Sequence, residues 1–591
     1  MKRLVPLLGL ALALVGAPAA HARAPIMPLK DVEAGMQCTG LTVIRGTAIS
    51  SFEAEVIDVV DDGSTAGAAI LIRVRGPAVD ETGIAEGFSG SPVYCDKGDG
   101  VDRNVGAIAY GLGDYGNKLG LVTPIQALLG QPIAPPASAR RLTRSERRSV
   151  HPLAAPLTIA GLSPRLGQRI SAAAARAGRG VYPVPAGPAG SYPRQTLVPG
   201  ASMAAGLSSG ALATSAIGTV TYVDGSSVWG FGHPLDFGGR RALMLQDAYV
   251  YTVVNNPNGD IGVSYKLAAA GHDIGTLSGD MLYGVTGTMG ELPPTTRLTV
   301  NTHDLDTRRG RTSRTRVADE VELGPPIGFS PLHLVAPIAL LDGTDRLLEA
   351  DPGRETATMC LRATVAGHSR ALRFCNRYVG DNSLAGNGSL LAAFDVDTAV
   401  GLIDSAQFRG LRVRSMTADL FVRRGLAQAY ITHARAPRTT KARRGLRVTV
   451  DAKVVRGGPR RFRFKVPLPR RLKPGRYALT ISGPGPDGSG SGSIGGLDGL
   501  FIEILDEEPG GGGARPGDLG VTSFAKLRKR FSKLHIYDGL TARLTRRGGG
   551  GGGRGNRGRG GRPAIARTHA FRDPRLRIGG RRVVRFRVVR P

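Results

Sequence analysis

The sequence predicts a mainly β protein of several domains, and three observations carry that prediction. Apolar and polar residues alternate with a period of two in many short runs, the signature of half-buried strands. Glycine is abundant, with 85 residues, and proline adds 39, so turns are frequent. The chain has 591 residues, too many for one hydrophobic core.

The first residues read as an address rather than as structure. Met1-Lys2-Arg3 is basic, Leu4 to Val15 is apolar, and Ala20-His21-Ala22 has the small-x-small spacing of a cleavage site. Residues 1–22 are therefore expected to be a secretory signal peptide, and the mature chain to be secreted or held at the cell surface. No later stretch is long and apolar enough to predict a transmembrane anchor; Phe329 to Leu341 comes closest, and Pro331, His333 and Pro337 interrupt it.

Residues 26–130 read as one β unit. Strands are predicted at Met36 to Thr47, Phe52 to Val60, Ala69 to Arg75, Val105 to Gly111 and from Gly120, with a short helix over Ile125 to Leu129. Residues 131–213, rich in Ala, Pro, Gly and Arg, read as a linker and irregular segment. Residues 214–302 form a second β unit, with strands flanking the Asp224-Gly225 turn and later ones near Asp273 and Gly284. Residues 303–405 read as a connection, helical within 326–350, followed by a hairpin. Residues 406–482 alternate as in an immunoglobulin-like sandwich, Leu446 to Ala452 and Arg461 to Val466 being examples. Residues 483–591 combine Gly-rich linkers, an Arg/Gly tract at 548–562, a last strand, and a short basic helix presenting Phe524, Leu527, Phe531 and Leu534.

Four cysteines in an exported chain favour disulfides. Three connectivities are open. Cys360 and Cys375 flank the hairpin and suit cross-strand pairing, which leaves Cys38 for Cys95. No Cys-x-x-Cys or His-x-x-x-His spacing points to zinc, and no cofactor is expected.

The net charge of +31 is compatible with an anionic cell-wall polymer as partner. The Arg/Gly tract would suggest RNA in a cytosolic protein, but behind a signal peptide no nucleic acid is expected.

The chemistry concentrates in Gly87-Phe88-Ser89-Gly90-Ser91-Pro92. Glycines on both sides of Ser89 suit a tight turn that exposes a hydroxyl, and the Gly87 and Ser89 amides can converge on an oxyanion. The turn resembles the Gly-Asp-Ser-Gly-Gly-Pro turn of chymotrypsin-like proteases, with Phe88 in place of Asp. It is closer to Gly-Met-Ser-Gly-Ser-Pro of the stage IV sporulation protein B (SpoIVB) peptidase family. Glu81-Thr82-Gly83 before the turn and Gly106-Ala107-Ile108 after it extend the likeness over about 100 residues. Ile217-Gly218-Thr219, followed by Thr221, a turn and Gly232-His233, resembles the segment that holds that family's catalytic histidine.

The resemblance implies a serine endopeptidase acting on a protein or peptide substrate. Ser89 is then the nucleophile and His233 an accessible base, with His272 the alternative. The fold it implies is a chymotrypsin-like double β-barrel whose halves stand in permuted order, serine before histidine, followed by β-sandwich-like modules. Gly76-Pro77 occupies the family's Asp position, so the third member falls to Asp273 or, alternatively, Asp236. A non-catalytic surface or cell-wall binding protein on the same scaffold is the rival expectation.

Overall fold

The computed structural model describes residues 24–61, 67–112, 117–153, 155–176, 180–184, 192–256, 264–323, 330–349, 353–380, 387–441, 445–469, 472–483, 520–534, 539–546, 566–573 and 575–590. The expected signal peptide, the Gly-rich linkers within 484–519 and the Arg/Gly tract lie outside them. The fold is mainly β, with two closed six-stranded barrels followed by further β modules.

The first barrel contains β1 (Gln37–Arg45), β2 (Ala48–Asp61), β3 (Ala68–Arg75), β4 (Pro92–Cys95), β5 (Arg103–Leu112) and β6 (Leu119–Pro124). The order is β1-β4-β5-β6-β3-β2, and β2 pairs with β1 to close it. Inward residues such as Phe52, Ile70, Ile72 and Ile108 fill the interior. Cys38 lies opposite Cys95 in the β1–β4 ladder and is disulfide-bonded to it. That bridge fastens the strand leaving the serine turn.

The second barrel contains β7 (Ser202–Gly206), β8 (Ala213–Asp224), β9 (Ser227–Gly230), β10 (Gly239–Val254), β11 (Tyr265–Met281) and β12 (Gly284–Met289). It closes in the order β8-β7-β10-β11-β12-β9, with β9 returning to β8.

The segment 131–213 is not a linker. Leu157–Ala160, the helix α1 (Pro164–Arg176) and Val181–Val184 form a strand-helix-strand crossover whose parallel strands extend the second barrel's sheet. Leu166, Ile170, Ala173 and Ala174 bury one face of α1. Alanine and arginine are strong helix formers, so a composition that reads as low in information supports an amphipathic helix.

The boundary at 302 also moves. Residues 295–302 belong to a third sheet formed by β13 (Thr295–Asp304), β14 (Gly310–Ala318), β15 (Glu355–Val365), β16 (Leu372–Gly380) and β17 (Val413–Arg424), with Ser208–Gly210 on its edge. The apolar helices α2 (Pro331–Leu348) and α3 (Gly388–Asp404) share one core with one face of this sheet. Cys360 and Cys375 are register partners on β15 and β16 and form the second disulfide. The helix α4 (Phe524–Lys533) joins the same core through Leu527 and Phe531, the face its spacing predicted.

The last module does not end at 482. Its four- and five-stranded sheets take strands from Gln428–Arg435 through Gly475–Ser482, and again from Leu540–Arg546 to Arg581–Val589. One core joins the two sheets, with Tyr477, Ile481 and Leu540 at its centre.

Candidate active site

The serine turn sits where the barrels meet. Gly87 and Gly90 have φ of +85° and +91°, a region that only glycine enters without strain. The Phe88, Gly90 and Ser91 amides donate to Ala85, Ile108 and Phe88 carbonyls. The Gly87 and Ser89 amides donate to nothing among the described residues.

The carbonyls around those two amides are held in place. Glu86 O accepts Lys266 N–H at 2.9 Å, and Phe88 O accepts Ser91 N–H at 2.8 Å. A peptide plane fixed through its carbonyl has its N–H fixed as well. The predicted oxyanion donors are therefore unspent and oriented.

The second barrel supplies much of this restraint. On β8, Thr219 donates its amide to Ser89 O at 2.8 Å and its hydroxyl to Gly87 O at 3.0 Å. Thr221 Oγ1 donates to Gly90 O at 2.8 Å. Gly218 makes room for Phe231, since a Cβ there would stand 2.3 Å from the ring. The Ile217-to-Thr221 segment thus docks the serine turn. From the sequence alone this segment stands out only as a neighbour of the histidine.

The histidine corner meets the same surface. A Cβ on Gly232 would stand 2.8 Å from Ala107 Cβ, and Thr123 Oγ1 donates to Gly232 O at 2.7 Å. A Cβ on Gly90 would stand 2.5 Å from Phe231 N. The two glycine-rich corners, distant in sequence, therefore touch through their backbones. Phe231 is held at φ +68°, costly for a bulky residue, and its ring is fully buried.

His233 is not accessible: it is 3% exposed, and Ser89 is 0% exposed. Tyr110 and Phe231 rings lie 6.4 and 6.1 Å from the imidazole. Part of the cover comes from the segment expected to be a linker. The Leu153 backbone lies at the His233 ring. Tyr182 donates to the buried Glu86 carboxyl at 3.2 Å and stacks on Tyr265. Burial pushes Glu86 up to about 7.

His233 Nδ1 is 2.7 Å from the Pro234 carbonyl. A carbonyl only accepts, so Nδ1 carries the proton and Nε2 is left as the basic nitrogen. Burial lowers the His233 pKa and favours this neutral ring. Ser89 Oγ, Ser91 Oγ and His233 Nε2 are all buried with no hydrogen-bond partner among the described residues. Ser89 and His233 therefore do not bond to each other. Unpaired buried polar atoms are uncommon, and these three gather at the two touching corners.

Neither carboxylate named from the sequence holds the imidazole. Asp273 accepts from Gln246 at 2.7 Å and from Arg316 at 2.6 Å. Asp236 pairs with Arg241. Asp280, which the sequence reading missed, is the carboxylate whose charge reaches His233. It accepts the Leu235, Asp236 and Gly238 amides at 2.7, 2.9 and 2.7 Å, and so fixes the loop carrying the Pro234 carbonyl. From 273 to 280 along β11, at ~3.3 Å per residue, is on the order of 20 Å. That distance removes Asp273 from the histidine. His272 is a tighter acid–imidazole pair, Nδ1 to Asp247 at 2.9 Å, but it lies six positions along β11 from Lys266, roughly 20 Å from the serine turn.

Lys266 was also missed. Its stem packs on Gly87, its ammonium lies 5.1 Å from the Phe88 ring centroid, and it donates to Thr219 Oγ1 at 3.0 Å and Ser202 Oγ at 3.3 Å. Burial brings it down to about 7. Strand alternation offered a signal, because 266 shares a face with the buried Ala268 and Ala270.

Comparison with family models, with curated proteins and with solved structures finds no match.

Proposed function

We propose that this chain is an exported serine endopeptidase. Ser89 Oγ attacks a peptide carbonyl, and its proton passes to His233 Nε2. The oxyanion is received by the Gly87 and Ser89 amides. The imidazolium returns the proton to the leaving amine, and water then releases the acyl group by the same route. The Pro234 carbonyl does the orienting that a carboxylate performs in a triad, steadied by Asp280. The observation that carries this reading is the pair of unspent, fixed amides beside an unpartnered hydroxyl and an unpartnered basic nitrogen. The two oxidised cysteine pairs support the exported setting.

Turnover requires the cover over both residues to move, because substrate has no path to a fully buried hydroxyl. That burial favours a second reading, a binding scaffold with an inert serine. Fluorophosphonate labelling separates the two, since only an activated serine reacts. Labelling and hydrolysis of a casein-type substrate are expected in the purified protein. Each should fall at least ~10³-fold in Ser89→Ala or His233→Ala. Survival of hydrolysis in both variants ends the proposal. Because His233 is depressed, the acid limb of kcat/KM is expected below pH ~6.5.

A further inference from the structure

Among the described residues, the third sheet has one face under helices and one face open. On the open face lies a cleft of about 490 Å³, lined by Thr295, Arg297, Thr364, Arg412, Arg414 and Ser415 among others. None of its lining residues belongs to the serine turn or the histidine corner, and it plays no part in the chemistry proposed there.

The strand register builds this cleft. Arg297 on β13 is the register partner of Ser415 on β17, and Ser415 is also the partner of Thr364 on β15. These three residues form one row across adjacent strands. The β15–β17 ladder then passes from Thr364↔Ser415 to Val365↔Val413, so Arg414 is an extra, bulged residue. A bulge re-aims a side chain, and this one adds a guanidinium beside the row. The Thr364 and Ser415 hydroxyls lie 2.7 Å apart and half-buried, while the three arginines are exposed.

None of those arginines forms an ion pair or side-chain hydrogen bond among the described residues. Arg412's charge reaches Asp319, which is buried and accepts the Val321 and Val413 amides. Three exposed guanidiniums therefore line one concavity, and the buried Asp319, which Arg412's charge reaches, offsets only part of that charge. Solvent and salt screen their mutual repulsion, and an anion bridging the guanidiniums would relieve it further.

We propose that this cleft binds a phosphate-bearing ligand, with the guanidiniums of Arg297, Arg412 and Arg414 on the phosphate oxygens and the Thr364–Ser415 hydroxyl pair beneath them. Phosphate presents more acceptor oxygens than a carboxylate and so can engage several guanidiniums together. The cleft also exceeds the size of one tetrahedral anion, which fits an oligomeric or polymeric phosphate.

The test is calorimetric titration of the full chain with tripolyphosphate at physiological ionic strength, beside inorganic phosphate and polyglutamate. Arg297→Ala/Arg412→Ala/Arg414→Ala should bind tripolyphosphate at least ~10-fold more weakly. A control of equal net charge, Arg460→Ala/Arg463→Ala/Arg585→Ala, changes exposed arginines of the last module and should stay within about twofold. Should the first triple variant not fold, the corresponding triple lysine variant keeps the charge, and a loss of ~3-fold or more is expected from the missing paired bonds. Tighter binding of tripolyphosphate than of inorganic phosphate supports an oligomeric ligand; the reverse order supports a small phosphate compound. Absent binding of both phosphates, equal losses in the two alanine variants, or polyglutamate binding as tight as tripolyphosphate would overturn the proposal.

Discussion

The serine turn and the arginine cleft are built by opposite means. At the turn, backbone does most of the positioning: two left-handed glycines, fixed carbonyls and two threonines from the neighbouring barrel. At the cleft the backbone is ordinary sheet with one bulge, and side chains from three strands provide the chemistry. The first arrangement is buried, the second open to solvent. Backbone-built geometry tolerates almost no added volume, whereas a side-chain rim is open to exchange.

Gly90→Ala is the strongest way to break that contrast. Its Cβ would stand 2.0 Å from Thr219 O, at a φ of +91°, with no flexible side chain to yield. We expect a loss above ~4 kcal/mol, or no folded protein, in denaturant unfolding. A change under ~1 kcal/mol would mean that the barrels do not dock this closely.

Each region also has one disulfide, which allows a direct comparison. Cys38–Cys95 spans a sequence separation of 57 and Cys360–Cys375 one of 15. Loop entropy predicts losses of about 4 and about 3 kcal/mol for the paired serine variants, read by thermal unfolding. Equal or inverted losses would show that local packing outweighs loop length.

Thr219→Val sharpens the picture further. It leaves Gly87 O without its hydroxyl donor and Lys266 with one acceptor fewer, costing about 1–3 kcal/mol. Adding Lys266→Met should recover part of that loss, and a double-mutant cycle measures the coupling.

A further expected effect is in pH. Lys266 titrates near 7 when folded and near 10.4 when unfolded, so between those values the unfolded chain binds more protons. Stability contributed by this residue therefore rises with pH from about 7 to about 10. In Lys266→Met that rise should be absent from urea midpoints measured across the window.

The same contrast explains what was legible in the sequence. Gly87 to Pro92 and Gly232-His233 are contiguous, so a short stretch displays the nucleophile and the base, but not the Thr219 and Thr221 that fix the turn from the other barrel. The strands around them alternate cleanly, which predicts two β units, whereas their closure into barrels was expected from the family resemblance alone. The Pro234 carbonyl has no side-chain signature, and Asp280 acts through three amides that only folding assembles. Asp273 was attractive as a carboxylate on a strand of the same half, but its place along that strand is too far away. The arginine cleft depends on register between β13, β15 and β17, which local periodicity does not encode. The α1 crossover was missed for another reason: its Ala/Arg composition resembles that of a linker.

The split construction of the last module bears on how the chain is made. Its hydrophobic interior needs strands on both sides of α4, and α4 itself docks on the third sheet. As the polypeptide emerges from the ribosome, Gln428–Ser482 must wait for Leu540–Val589 with apolar faces uncovered. Clipping between these halves, or halting synthesis before the second, would strand two modules together.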